Sequence, residues 1–382
     1  MFDDSRNRST ASPRARALGI PFDGEPGQEN AITDVPGLEV GLVTIIEDSP
    51  VVARTGVTAI LPRGRDRAGE PCAAGIAVLN GNGELTGRSW IEESGQFQTP
   101  IAITNSHAVG AVHRGVDAWM AEHHPESAAA WMLPVVGETW DGYLNSINAD
   151  IVRPEHAIAA IDAAGPGPVA EGCTGGGTGM NCYGFKGGTG TASRVVRSGD
   201  HAYTVGVLLQ ANFGSRAELT LAGRRLGRES AAPNPMETSG WFSQDLRRAG
   251  AQAAGGAGSV IVVVATDAPL LPDQCRALAR RVPLGLARTG TTGSHFSGDI
   301  FLAFSTANPG GFGSSMTSDA MTVETVEHLS WGGIDALFTA VVEATEEAVA
   351  NALVAARTME GRDGHVSYAL PHEEVRAAFA RA

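Results

Sequence analysis

The stretch VIVVVAT, residues 260–266, has no polar position before its final threonine. Its five consecutive β-branched residues favour an extended backbone, because crowding at χ1 penalises them in a helix and suits them to a pleated surface. A strand with one wet face alternates apolar and polar residues. This one does not, so both of its faces must be covered. YTVGVLLQA at 203–211 and IFLAFST at 300–306 are nearly as apolar, and VTAIL (57–61), GIAVLN (75–80), PIAIT (100–104) and MLPVV (132–136) add further strand signals. Helical spacing of apolar residues marks VDAWMAEHH, PEHAIAAIDAA and PDQCRALARRV. It is clearest over 335–359, where an apolar face runs from Leu337 to Leu353 with EATEE largely opposite. Buried strands mixed with amphipathic helices predict an α/β layered sandwich.

The chain has 382 residues, 43% of them hydrophobic, enough for a substantial core. Its 42 acidic and 28 basic side chains give a net charge of −14, and no dense Lys/Arg stretch interrupts that balance. Nucleic acid is therefore not expected as a partner. No segment has the length and apolarity of a membrane span. Cys72, Cys173, Cys182 and Cys275 lie far apart with no C-x-x-C spacing, and read as reduced, mostly buried residues of a cytoplasmic protein. Residues 1–29 lack the apolar run of a secretory signal and read as a loosely ordered arm before a single domain over 30–382.

Directly before VIVVVAT stands Gly258–Ser259, and before that AQAAGGA, the end of a Pro/Gly/Ala-rich segment over 228–258 that reads as a mobile linker. Two readings fit. The pair is the ordinary end of a loop, or it is a bond that the chain itself breaks. In the second reading the Ser259 hydroxyl attacks the Gly258 carbonyl and the resulting ester hydrolyses. Ser259 is left as a new N-terminus, a nucleophile with an amine beside it. Glycine at 258 tolerates unusual backbone at low cost.

The tract EGCTGGGTGMNCYGFKGGTGTAS carries nine glycines between 172 and 190. It is no phosphate loop, since Gly179-x4-Gly184 is followed by Phe185 before Lys186, and it reads as a glycine-lined wall beside a substrate. The ten histidines form no metal pattern, and His107, polar within ITNSHAVGAV, reads as a core group. No metal or cofactor is expected. Polar residues gather instead at strand ends. Asn212 follows one buried strand, where its amide can donate to an oxyanion. Ser297 and Asp299 precede another and, two apart, point to the same side. Glu138, Trp140 and Asp141 follow a third. Each alone reads equally as a capped turn.

NAITDVPGLEVG (30–41), VLNGNGELTG, WIEESG (90–95), PIAITNSHAVG, VVGETWDG, GGGTGMNCYGFKGGTGTAS, LLQANFG, GSVIVVVATDAPL and SGDIFLAFSTAN occur in this order. Together they resemble the DmpA/BapA family of L-aminopeptidase/D-esterases and β-peptidyl aminopeptidases, over roughly 30–380. The resemblance implies a four-layer αββα sandwich like that of N-terminal-nucleophile hydrolases but differently connected. It implies self-cleavage into chains 1–258 and 259–382 that stay together, a homotetramer, and hydrolysis of small peptides, amides or esters. Ser259 matches the nucleophile and Asn212 the oxyanion-stabilising asparagine. Ser297 and Asp299 match the S-G-[DE] pair that tunes the nucleophile, and Glu138 the acid that holds the substrate's free amine. Trp140 departs from the pattern, since some members carry a tyrosine there, and an indole cannot exchange a proton near neutral pH. Whether the Ser259 α-amine or the Ser297/Asp299 pair moves the proton stays open. Two rivals also remain: an acyltransferase of the ornithine acetyltransferase type, which usually has threonine at the cleavage point, and a non-catalytic binder of a small ligand.

Overall fold

A computed structural model describes residues 13–248, 258–314, 316 and 321–380. In chain order its strands are β1 (Glu39–Glu47), β2 (Ala53–Leu61), β3 (Cys72–Gly81), β4 (Gln96–Phe97), β5 (Ile101–Asn105), β6 (Val135–Thr139), β7 (Asn181–Cys182), β8 (Phe185–Lys186), β9 (Gly188–Ser198), β10 (His201–Asn212), β11 (Gly258–Thr266), β12 (Ser297–Ser305), β13 (Met359–Glu360) and β14 (Val366–Ser367). One sheet has the order β1-β2-β5-β6, and the larger one β4-β3-β12-β11-β10-β9. β5 pairs parallel with β6, and β11 with β12. A parallel pair needs a crossover. The helices Pro272–Ala279 and Val282–Arg288 lie in the connection between β11 and β12.

The unbroken apolar run of β11 is explained by its two neighbours. Val260, Val262 and Val264 join a core shared with the helix Asp335–Ala355, while Ile261, Val263 and Ala265 join a second core with Ile60, Ile103 and Val135 of the smaller sheet. A third core lies beneath the helices Val109–His123 and Pro154–Asp162, on the far face of the smaller sheet. The layers therefore run helix, sheet, sheet, helix.

One buried charge inside this frame is fully partnered. Glu347, expected on the polar side of its helix, is fully buried, because the segment before β1 and Arg194 of β9 close over it. Arg16 grips its two carboxylate oxygens at 2.7 and 2.8 Å, Arg194 reaches one at 2.8 Å and Asn30 the other at 2.7 Å. Burial acts to raise the Glu347 carboxyl, but hydrogen bonds and charge from the two arginines outweigh it and hold its pKa below the usual range. Residues 13–29, expected as a loose arm, lie against the body, with Ala15, Leu18 and Ile20 buried. The linker expected over 228–258 contains the helices Pro235–Thr238 and Trp241–Arg248, and its stretch 249–257, like residues 1–12, lies outside the described residues.

Candidate active site

β11 begins where three elements meet. Ser259 pairs with Asn212 at the end of β10 and with Gly298 of β12, so Ser297 and Asp299 flank its neighbour. Ser259 is 3% exposed. Its hydroxyl donates to the carbonyl of Gly258 at 2.6 Å and accepts from the Gly298 N–H at 3.3 Å. Ser297 Oγ–H donates to Asp299 Oδ1 at 2.5 Å, and Asn80 Nδ2 to the other carboxylate oxygen at 2.8 Å. Burial raises the Asp299 carboxyl, while hydrogen bonds from Ser297, Asn80 and Val260 pull it back. A carboxylate whose pKa is raised is a better proton acceptor.

Gly258 carries the carbonyl that the Ser259 hydroxyl meets. Its small size matters through contact: a Cβ there would lie 3.2 Å from the Asn212 carbonyl oxygen and 3.6 Å from Ser297 Oγ.

Asn212 is 2% exposed, and the orientation of its amide is fixed from both ends. Its Oδ1 accepts from the Asn181 N–H at 2.9 Å, and its Nδ2 donates to the Trp140 carbonyl at 2.8 Å. Exchanging the two amide ends would face donor with donor and acceptor with acceptor. One Nδ2 proton remains for a developing oxyanion.

Glu138 lies within β6, one residue before its end, rather than after it, and is 5% exposed. It accepts from the Glu84 N–H at 2.9 Å and from the Ser106 hydroxyl. Burial raises its carboxyl, against the opposing pull of those two donors and of His107. Gly83 lies between it and Gly298, the strand partner of Ser259, since a Cβ on Gly83 would be 3.0 Å from the Gly298 Cα and 3.2 Å from Glu138 Oε1. Trp140 is half-buried and stacks on Trp241 at 5.8 Å. A cleft of ≈ 510 Å³ opens beside Gly258, Asn212 and Ser297, with Phe213, Met236, Trp241 and Phe242 as its apolar wall. Trp140 does not line that cleft but an adjoining depression with Ile147 and Arg362.

Several residues expected in other roles, or not singled out, belong to this neighbourhood. His107 is exposed rather than in the core, because β5 ends at Asn105 and the chain turns outward. Lys186 is fully buried and spends its ammonium protons on backbone carbonyls. Asn80 and Ser106 lie within VLNGNGELTG and PIAITNSHAVG but were given no role there, and their contacts arise from strand register. Asp141 is fully buried with its carboxyl pushed up to about 7 by burial. Among the described residues no group of three or more His, Cys, Asp or Glu is arranged to hold a metal, and no helix is long and apolar enough to cross a membrane.

The fold has counterparts among known proteins. The chain is 49% identical over 379 residues to the β-peptidyl aminopeptidase BapA of Sphingosinicella microcystinivorans, covering 98% of this chain and 93% of that protein. It superposes with a TM-score of 0.86 and 44% identity on a β-aminopeptidase from a Burkholderia species, over 97% of this chain and 99% of that one. The same score and identity hold for the L-aminopeptidase D-Ala-esterase/amidase of Ochrobactrum anthropi, over 97% and 98%, a serine aminopeptidase described as a new variant of the Ntn hydrolase fold. The model of peptidase family S58 matches residues 30–367, from the turn before β1 to the last strand beyond the long helix. This chain, a serine peptidase with the αββα architecture, belongs to peptidase family S58.

Proposed function

We propose that the chain is a self-processing aminopeptidase that removes N-terminal L-, D- or β-amino acid residues from small peptides, amides or esters through an acyl-enzyme on Ser259. The observation that carries this reading is the meeting of Ser259, Asn212, Ser297 and Asp299 at the open end of one sheet, beside a cleft and one short turn from buried Glu138. The names of the relatives support the substrate range.

In the uncleaved chain the Ser259 hydroxyl already touches the carbonyl group it would attack. Attack breaks the Gly258–Ser259 amide and forms an ester, with the proton from Oγ passing to the departing nitrogen. Water then releases Gly258 as a carboxylate, and Ser259 keeps its hydroxyl beside a free α-amine. In each turnover Oγ attacks the substrate carbonyl, the remaining Nδ2 proton of Asn212 meets the oxyanion, the leaving amine or alcohol takes the hydroxyl proton, and water then hydrolyses the acyl-enzyme to free the amino acid and restore Oγ–H. Either the α-amine or the Ser297–Asp299 pair carries that proton. Glu138 holds the substrate's ammonium, and the leaving group lies toward the cleft wall formed by Trp241 and Phe242.

Reaction with a chromogenic free-amine substrate tests the assignment. A burst of one product equivalent per nucleophile, abolished by Ser259→Ala, is expected, and hydrolysis that survives Ser259→Ala refutes it. A homotetramer is part of the same proposal by analogy to the family, and light scattering that finds a lone protomer removes it. So is a cytoplasmic location, supported by four free thiols of which three are buried. Its test is cell fractionation.

A further inference from the structure

We infer that Lys186 is a positioning residue of the oxyanion site, acting on Asn212 through the single peptide unit that joins Met180 to Asn181. The inference rests on the proposed role of Asn212. The two atoms that matter belong to one rigid, planar group. Lys186 Nζ donates to the Met180 carbonyl oxygen at 2.6 Å, and the Gly187 N–H donates to the same oxygen at 2.9 Å. On the opposite side of that peptide, the Asn181 N–H donates to Asn212 Oδ1 at 2.9 Å. The carbonyl has both lone pairs engaged, one by a cation. Electron density drawn toward it leaves the N–H a stronger donor, as hydrogen bonds in a chain reinforce one another in a low-dielectric interior. Asn212 Oδ1 is then held firmly, and its NH2 group is both aimed and acidified toward the oxyanion.

Local structure explains why a lysine stands here. β7 and β8 form a hairpin whose two-residue turn, Tyr183–Gly184, has φ of 53° and 64°, the double positive φ of a type I′ turn. Tyr183 tolerates that conformation because it is clamped: its hydroxyl pairs with Thr289 Oγ1 at 2.6 Å and its ring meets Phe213 edge-on. The hairpin register sets Lys186 opposite Asn181. Its ammonium donates to the carbonyls of Met180 and Gly187 and also meets the Cys173 thiol, and burial draws its pKa below the usual lysine range while Cys173 and Asp141 act to raise it. A buried lysine is an expensive way to hold a turn. A neutral side chain would satisfy the two carbonyls without charge, and the charge is what strengthens the Asn181 donor.

The test is a set of matched kinetics on the processed enzyme with one free-amine anilide. Lys186→Met, Lys186→Gln and Asn212→Ala are compared with both double variants, with thermal unfolding measured alongside. Lys186→Met is expected to lower kcat by about ten- to a hundredfold, the scale of a misaligned catalytic group, with KM nearly constant. Lys186→Gln, which keeps a donor but no charge, recovers part of the loss. In the Asn212→Ala background neither substitution lowers kcat further, because the group they position is gone. If a variant accumulates uncleaved, its rate of self-cleavage replaces kcat as the readout in both backgrounds, with the same expectations. Wild-type kcat in Lys186→Met, or an equal loss with and without Asn212, overturns the inference and leaves the role of Asn212 standing. Wild-type kcat in Asn212→Ala overturns the oxyanion assignment itself.

Discussion

Replacing Glu138 with glutamine removes one negative charge from a side chain that is 5% exposed and already holds two donors, the Glu84 N–H and the Ser106 hydroxyl. Those donors do not compensate its burial, since the carboxyl remains raised above the usual range. A cation brought into contact would complete the compensation. A charge-assisted hydrogen bond in such a place contributes about 1.5–3 kcal/mol. At about 1.4 kcal/mol per factor of ten, Glu138→Gln should lose roughly ten- to a hundredfold in kcat/KM. Glutamine is nearly the same shape. Its oxygen can still accept from Glu84 and its NH2 can donate to Ser106 Oγ, so folding should survive. Self-cleavage should survive as well, because the Gly258–Ser259 bond offers no ammonium. The assay compares H-β-Ala-p-nitroanilide and H-Ala-p-nitroanilide with their N-acetylated forms. The wild-type enzyme should largely ignore the acetylated forms. Equal wild-type rates on both, or undiminished kcat/KM in Glu138→Gln, would refute the reasoning and leave Glu138 as a turn-holding residue.

The same carboxyl sets a pH dependence. A raised pKa means that Glu138 gains its proton at a higher pH than an ordinary carboxylate, while the substrate amine is still charged. KM for free-amine substrates should therefore rise as pH falls through that interval, and in Glu138→Gln it should stay flat. A parallel rise in both enzymes would assign the effect elsewhere. Arg194→Met leaves Glu347 buried with one arginine fewer and should cost about 3–5 kcal/mol in urea unfolding. A cost under about 1 kcal/mol would show that Arg16 and Asn30 suffice. Trp241→Ala removes an indole packed on Tyr143 at 5.0 Å and on Trp140, and opens the cleft wall. It should raise KM for aromatic leaving groups more than for simple amides, and an equal change for both would take Trp241 out of the leaving-group site.

The layered fold was legible because its central strands are apolar at nearly every position, and covering both faces of a sheet leaves little choice of architecture. Strands built from small or polar residues were not. β9, GTGTASRVVRS, hides in the glycine-rich tract, since glycine and threonine carry no burial signal there and its neighbours alone make it a strand. β1 was missed because its burial does not alternate. Ser259, Asn212, Ser297 and Asp299 could be named from strand ends and family motifs, because a strand terminus fixes where a side chain sits. Lys186 and Asn181 could not. Their relation to Asn212 depends on a hairpin register and on which side of one peptide faces which partner, and neither is written in residue types. The helices within 235–248 lay in a segment whose Pro, Gly and Ala content suggests none. They form where Trp241 finds Tyr143 and Arg362 meets Asp245 at 2.5 Å.

Every part of the proposed mechanism depends on the bond between Gly258 and Ser259. Intact-mass measurement and N-terminal sequencing of the purified, incubated protein examine it directly. The account predicts two fragments, 1–258 and 259–382, the smaller beginning Ser-Val-Ile-Val, and a single uncleaved chain from Ser259→Ala. A wild-type chain that stays whole through prolonged incubation while hydrolysing free-amine substrates at full rate would contradict it.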